Sequence, residues 1–307
     1  MKLSLKVTNL DAAENAFFSR QLESIRAKAY EVAYPELMAM KLIPMKTDIH
    51  IGAKEYTYEY YDSYGTAEFV TDYQKFGPSV SVAAGSDTVK LRGIKDSYVY
   101  SIEEARNAMM ARSDLIDRKA KAARRVIAQK LDDIMILGDG SASYMGLYGI
   151  AKLSGTVTST TLGAWSGLTV TQLLTELNGF VSKIVNDSKG VEVPDTLAMP
   201  LASFNFLNEK MMDTASSMTV LSWFKANNPY IRNIFPVPKL ETAGAASVKR
   251  AICYKRDPEK IEGLLPIEFE QFLPQEQSTA LITECHAKTG GVVAPFPKSV
   301  SYLDHSI

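Results

Sequence analysis

An α+β fold is what this 307-residue sequence predicts. Two patterns carry the prediction. Residues 101–137 repeat apolar side chains every three or four positions, the period of a helix buried along one side. Residues 56–60 alternate Tyr with Thr and Glu, the period of a strand, and the segment from 264 onward reads as strands again. An apolar content of 46% supplies a full core. The length suits about two domains at roughly 100–200 residues each.

The elements follow in order. Ala13, Phe17, Ile25, Ala29 and Val32 keep a helical spacing through 11–42. Asp11 and Glu14 are placed as a capping box, and Pro44 closes the stretch. Tyr56, Tyr58 and Tyr60 then mark a strand. Gly65 and Gly77-Pro78 punctuate it, and Val80, Val82 and Ala84 start another. Gly85-Ser86-Asp87 reads as a turn, with Val89 and Leu91 on the returning strand. The whole region reads as a long β-hairpin arm.

The 101–137 helix opens on a second capping box, Ser101 with Glu104, and stops at Gly138. At roughly 50 Å it would outrun a small domain. Its spacing is not a strict heptad, which favours a sheet laid along it over a coiled-coil partner. A Gly/Ser/Thr-rich passage leads to a helix at 169–186. Residues 194–265 read as an α/β unit: a buried strand at 196–199, a helix from Pro200 through Met212, and another at 219–226. Strands at 264–272, 279–287 and 292–302 close the chain, with Lys288-Thr289-Gly290-Gly291 turning the last two.

Charge excludes some functions. Lys and Arg number 34 against 35 Asp and Glu, for a net −1. A strongly basic nucleic-acid reader and an acidic tail are both ruled out. Counted by segment the charges stay even, with no charge block and no long-range steering field. Asp11 and Glu14 interrupt any signal peptide, and the charge-free stretch 153–175 is too rich in Ser, Thr and Gly to span a membrane. These features fit a protein kept in a reducing cytoplasm.

Chemistry is scarce. Cys253 and Cys285 read as small buried hydrophobes rather than a disulfide framework. His50, His286 and His305 show no metal-ligand spacing. Cys285 and His286 are neighbours on a strand and point to opposite faces. There is no phosphate-cradling loop and no nucleophile elbow. No catalytic, cofactor-binding or metal-binding residue is therefore assigned, and no cofactor is expected. Tyrosine is the exception. Tyr56, Tyr58, Tyr60, Tyr61, Tyr64 and Tyr73 crowd one segment, flanked only by Lys54 and Lys75. They fit either a half-buried strand of the chain's own core or an arm packed on a neighbouring subunit.

The order of elements then becomes informative, as do three passages. Tyr98-Val99-Tyr100-Ser101-Ile102-Glu103-Glu104 leads from the arm into the long helix. Ala122-Ala123-Arg124-Arg125, Asp133, Gly138-Asp139 and Gly146-Leu147 mark its second half and end. Phe269-Glu270-Gln271, Pro274-Gln275, Thr289-Gly290-Gly291-Val292 and Pro297-Lys298-Ser299 close the chain. Together they resemble the major capsid proteins of tailed bacteriophages, whose Hong Kong 97 fold is shared with encapsulin nanocompartments.

The resemblance implies more than the residues show. Residues 1–45 would be an N-terminal arm and helix, and 46–98 an extended loop lying over an adjacent subunit. Residues 99–193 would form a peripheral domain around the spine helix, 194–263 an axial domain, and 264–307 a return to the peripheral domain. The six tyrosines would be interface residues. Gly77, Gly85, Gly138 and Gly140 would be hinge candidates. The partners implied are copies of the chain itself, in pentamers and hexamers, with scaffold, portal and decoration proteins and non-specifically contacted double-stranded DNA. The place implied is the virion, assembled in a host bacterial cytoplasm. An encapsulin-type compartment and a soluble cytoplasmic enzyme are the rival readings. The cross-linking chemistry of the family is not carried over to Lys54, Lys75 or Lys90.

Overall fold

The computed structural model describes residues 34–69, 78–111, 115–139, 146–213 and 217–307. Most of the expected N-terminal helix lies outside them. Of its described remainder, 34–38 is not helical and only α1 (Ala39–Leu42) is. Pro35 accounts for the difference, because a proline biases the residue before it away from helical geometry.

The long helix is found on both sides of 112–114, which lie outside the described residues, as α2 (Ile102–Ala111) and α3 (Leu115–Leu137). Its capping box forms as the sequence predicts. Ser101 Oγ accepts the Glu104 N–H at 3.0 Å, and the Glu104 carboxylate accepts the Ser101 N–H at 3.2 Å. Ala123, Ile127, Leu131 and Ile134 of the predicted stripe are all buried. A sheet does lie along this stripe. Its main pair is β4 (Arg92–Ser101) and β12 (Ala280–Thr289), antiparallel over their full length. Strands β10 (Ile267–Gln271) and β11 (Gln275–Gln277) flank β12 on its other side.

A second sheet has the order β5-β14-β8-β6-β7, where β5 is Val157–Ser159, β6 Thr196–Met199, β7 Asn233–Pro236, β8 Lys249–Tyr254 and β14 Val300–His305. Its interior strands carry apolar runs, Leu197–Met199 and Ala251–Tyr254, buried on both faces, as strands covered on both sides require. Alternate residues serve two different cores. Ala198, Ile252, Tyr254, Val300 and Tyr302 face the cluster built on α3. Leu197, Met199, Ala251, Cys253 and Leu303 face a cluster built on three helices: α4 (Val170–Asp187), α5 (Leu201–Glu209) and α6 (Val220–Asn227). The three helices fall within a few residues of their predicted spans. Both cysteines are free and buried, and burial pushes the Cys253 thiol pKa upward. The closing strand β14 lies inside this sheet, between β5 and β8, the latter from the 194–263 segment.

Three further expectations are corrected. Gly85-Ser86-Asp87 is not a turn. Strand β3 (Ser81–Lys90) runs straight through it, paired with β2 (Glu55–Tyr64) in unbroken register from Tyr64–Ser81 to Glu55–Lys90. The ladder outweighs the local turn preference, and Gly85 is needed for another reason given below. The expected closing hairpin is also absent. The segment after β12 splits into β13 (Gly291–Val293) and β14, which join different sheets. Pro295 and Pro297 stand between them, and proline cannot donate to a ladder. Likewise 264–272 divides: β9 (Glu262–Leu264) pairs with β13 and with β1 (Met45–Lys46), while β10 pairs with β12.

Candidate assembly surface

The β2–β3 ribbon treats its tyrosines in two ways. At its root, Tyr56 and Tyr58 are half-buried and pack with Val89, Ile49 and Ala53 against Leu91, Leu264 and Val293. The Tyr56 hydroxyl donates to Glu262 at 3.1 Å and accepts from Lys46 at 3.0 Å. That hydrogen bond from Lys46 is the chief reason its pKa is raised. Tyr58 donates weakly to Asp87 at 3.4 Å, and burial is the main cause raising its pKa. Lys288 donates to the Ile51 and Ala53 carbonyls and so fixes the approach to the ribbon.

Towards the tip none of the described residues covers the tyrosines. Tyr60 is 43%, Tyr61 68% and Tyr64 60% exposed. Val80, Val82 and Phe69 are exposed beside them. Successive side chains alternate across a strand, so Tyr60 and Tyr64 lie on one face and Tyr61 on the other. Among the described residues both faces of the ribbon are bare here. Tyr60 lies across Gly85, its cross-strand partner. A Cβ on Gly85 would come within 2.5 Å of the Tyr60 ring. Glycine here makes room for an aromatic ring lying on the strand. Tyr73, Gly77 and Gly140 lie outside the described residues.

Gly138 ends α3 with φ +83°, and a Cβ there would meet the Leu147 carbonyl at 2.8 Å. The incoming strand of chain presses on the same point. A Cβ on Gly149 would lie 2.4 Å from the Gly138 nitrogen and 2.6 Å from the Ile136 carbonyl. Sequence reading passed over Gly149; the apolar Leu147 and Ile150 around it were its only signal.

Two buried polar groups brace the body. Asp132 accepts the Ala39 N–H at 2.7 Å and Lys239 Nζ at 2.6 Å, while Lys239 also reaches Asp133 at 2.6 Å. Burial alone would lower the Lys239 pKa, but the two carboxylates reverse it and the net shift is upward. On the other side of the second sheet, His305 stacks on Trp165 with centroids 3.9 Å apart and shares a 2.7 Å hydrogen bond with Ser203 Oγ. Burial lowers its pKa to about 4. Glu176, buried beside it, accepts from Trp165 Nε1, Thr161 Oγ1 and the Leu162 N–H, each at 3.0 Å. Ser203 is sealed from solvent, so the Ser203–His305 pair is structural. Among the described residues no group of His, Cys, Asp and Glu could hold a metal ion, and no helix is long and apolar enough to cross a membrane.

A family profile described as "Major capsid protein" matches residues 65–305, more than three quarters of the chain. No curated protein matches the sequence. Among solved structures, the chain is similar to the capsid of Myoviridae Phage XM1, with TM-score 0.82, 16% identity, and coverage of 94% of this chain and 98% of that one. It is also similar to a chain of Mycobacterium phage Adephagia (TM-score 0.63, 13% identity, 98% and 99% covered). A virus-like particle from Pyrococcus furiosus is a further likeness (TM-score 0.55, 12% identity, 86% and 91% covered). At such identities the structural likeness speaks for the fold, which is the Hong Kong 97-like fold that the order of elements predicts.

Proposed function

The chain belongs to the major capsid protein family, and from that premise we propose how it builds its shell. Copies associate as pentamers and hexamers into an icosahedral head around the double-stranded DNA of a tailed phage. The observation that carries this reading is the bare tip of the β2–β3 ribbon. A two-stranded ribbon alone is marginal in water, and this one exposes Tyr60, Tyr61, Tyr64, Val80 and Val82 on two faces at once. Tyrosine is enriched where proteins meet, because its ring buries area while its hydroxyl tolerates water. The tip is thus the surface laid on an adjacent subunit, and the root tyrosines Tyr56 and Tyr58 are its anchor in the chain's own body.

The two cores sharing the second sheet supply the division of labour. The α3 side, with β4, β10 and β12, serves as the peripheral domain. The 194–263 side, with α5, α6 and β6–β8, serves as the axial domain that gathers at the centre of each capsomer, and α4, from the expected peripheral segment, packs on it. Of the hinge candidates on described residues, Gly138 at the end of α3 fits this reading, whereas Gly85 is held in the unbroken β2–β3 ladder under the Tyr60 ring. Electron micrographs of the purified chain under assembly conditions test it. Closed shells of uniform size are expected. Only small oligomers under every condition would refute it.

A further inference from the structure

The root of the ribbon shows what its tyrosine face can hold. Alternation puts Tyr56, Tyr60, Asp62 and Tyr64 on one face. Opposite the last three, on β3, stand only Gly85, Ala83 and Ser81. At the root a cation already sits on this face. Lys46 Nζ lies 5.2 Å from the centre of the Tyr56 ring, donates to the Tyr56 hydroxyl at 3.0 Å and stands 3.5 Å from the Glu262 carboxylate. A ring and a carboxylate together hold one ammonium group.

The tip repeats the arrangement without the cation. Asp62 is exposed between Tyr60 and Tyr64, each about 7 Å away along the strand. Among the described residues its carboxylate has no hydrogen bond or ion pair. A cation paired with Asp62 would come within about 6 Å of a flanking ring, the reach of a cation–π contact. Charge points the same way. Residues 59–87 hold five carboxylates and one lysine, net −4, which leaves +3 for the rest of the chain out of its total of −1. Lys189, Lys225 and Lys298 are exposed there with no ion-pair partner among the described residues.

We infer that Tyr60, Asp62 and Tyr64 form a seat for a lysine or arginine side chain of a second copy of this chain. This rests on the reading of the ribbon tip as an intersubunit surface and gives that surface its chemistry. Duplex DNA is disfavoured as the occupant, because this face would set carboxylate against phosphate. A purely apolar partner would bury Asp62 unpaired, at a large cost. The opposite face is not equivalent, since its Glu59 carboxylate already accepts the Tyr61 hydroxyl at 2.8 Å.

The test measures the concentration at which the purified full-length chain assembles, by sedimentation and electron microscopy, across salt from 50 to 500 mM. D62N should raise that concentration about fivefold at the low end. The gap from the wild type should close towards the high end, as salt screens the pair. D62K should abolish assembly. Y60L/Y64L keeps apolar area but loses both π faces, and should also weaken assembly about fivefold. The control E68Q, equal in charge change to D62N, should assemble as the wild type does. Wild-type assembly by D62N, a gap indifferent to salt, or an equal loss in E68Q would overturn the proposal. So would normal assembly by Y60L/Y64L, which would assign an occupant that needs no ring. Should the wild-type chain form no closed shells, the same comparison is made on its small oligomers by sedimentation equilibrium. Weaker association of D62N there would count against the shell and not against the seat. Association indifferent to Asp62, or none at all, would overturn the seat.

Discussion

Burial holds the His305 imidazole neutral, stacked on Trp165 and bonded to Ser203. Its pKa is about 4 against an ordinary 6.5, with Glu176 and Asp304 opposing the burial and Lys249 reinforcing it. The sign follows. Above pH 6.5 neither folded nor unfolded imidazole is charged, and the contribution is complete. As pH falls from 6.5 to 4 the unfolded chain takes a proton that the folded one refuses. Stability should drop by up to about 3 kcal/mol over that window and then level off. Denaturant titrations at pH 7 and pH 5 check this. The wild type should lose stability between them and H305Q much less, and equal losses would show that His305 is not the cause. Asp132 makes a second prediction at the same scale. D132A orphans the Ala39 N–H and leaves Lys239 with Asp133 alone, and should cost about 1–3 kcal/mol. D132N keeps an acceptor for Ala39 and should cost less. A neutral D132A would mean that the clamp is not needed for folding.

Glycines decide matters at the level of elements. A Cβ on Gly149 would run into the backbone at Ile136 and Gly138, which cannot yield as a side chain can. G149A should therefore destabilise by about 3 kcal/mol or more. Gly179 lies within α4 with nothing within 4 Å of an added Cβ, so G179A should stabilise by about 0.5–1 kcal/mol. Thermal unfolding of the two variants checks the opposite signs. Local signals of this kind were the legible part of the fold. The Ser101–Glu104 box, the α3 stripe, α4, β6 and α6 depend on residues close in sequence, and each was found where its pattern placed it. The misread strands depend on distant partners, whereas at 34–38 the local signal of Pro35 was passed over. β3 passes through a turn-like Gly-Ser-Asp because β2 supplies a ladder for it. β13 and β14 part because β9 and β8 receive them. In the candidate site, the tyrosine run was visible but its division was not, since the Glu262 that anchors Tyr56 stands far away in the chain.

At the scale of the molecule, the two main cores of the described residues draw nothing from the ribbon tip. Every large side chain of the two main cores is buried within residues 37–307, and none of these comes from the tip. The root, by contrast, is tied to the body through Tyr56, Lys46, Glu262 and Lys288. Folding and assembly should therefore separate at Tyr60. Replacing 61–84 by Asn-Gly joins the strands through a tight hairpin turn and keeps the root pairs from Glu55–Lys90 to Tyr60–Gly85. Y61S/Y64S is the milder version, changing two exposed rings only. Both variants should unfold within about 0.5 kcal/mol of the wild type, as substitutions away from packed groups do. Neither should close stable shells, because the rings lost are those offered to the neighbour. Y56F is the converse: it removes the hydroxyl shared by Lys46 and Glu262 and should loosen the root by about 1 kcal/mol while leaving the tip intact. Denaturation curves and electron micrographs of the three proteins decide together. Normal shells from Y61S/Y64S would return the tyrosine tip to the role of solvent-exposed strand, and a collapsed body from the hairpin replacement would make it part of the chain's own core.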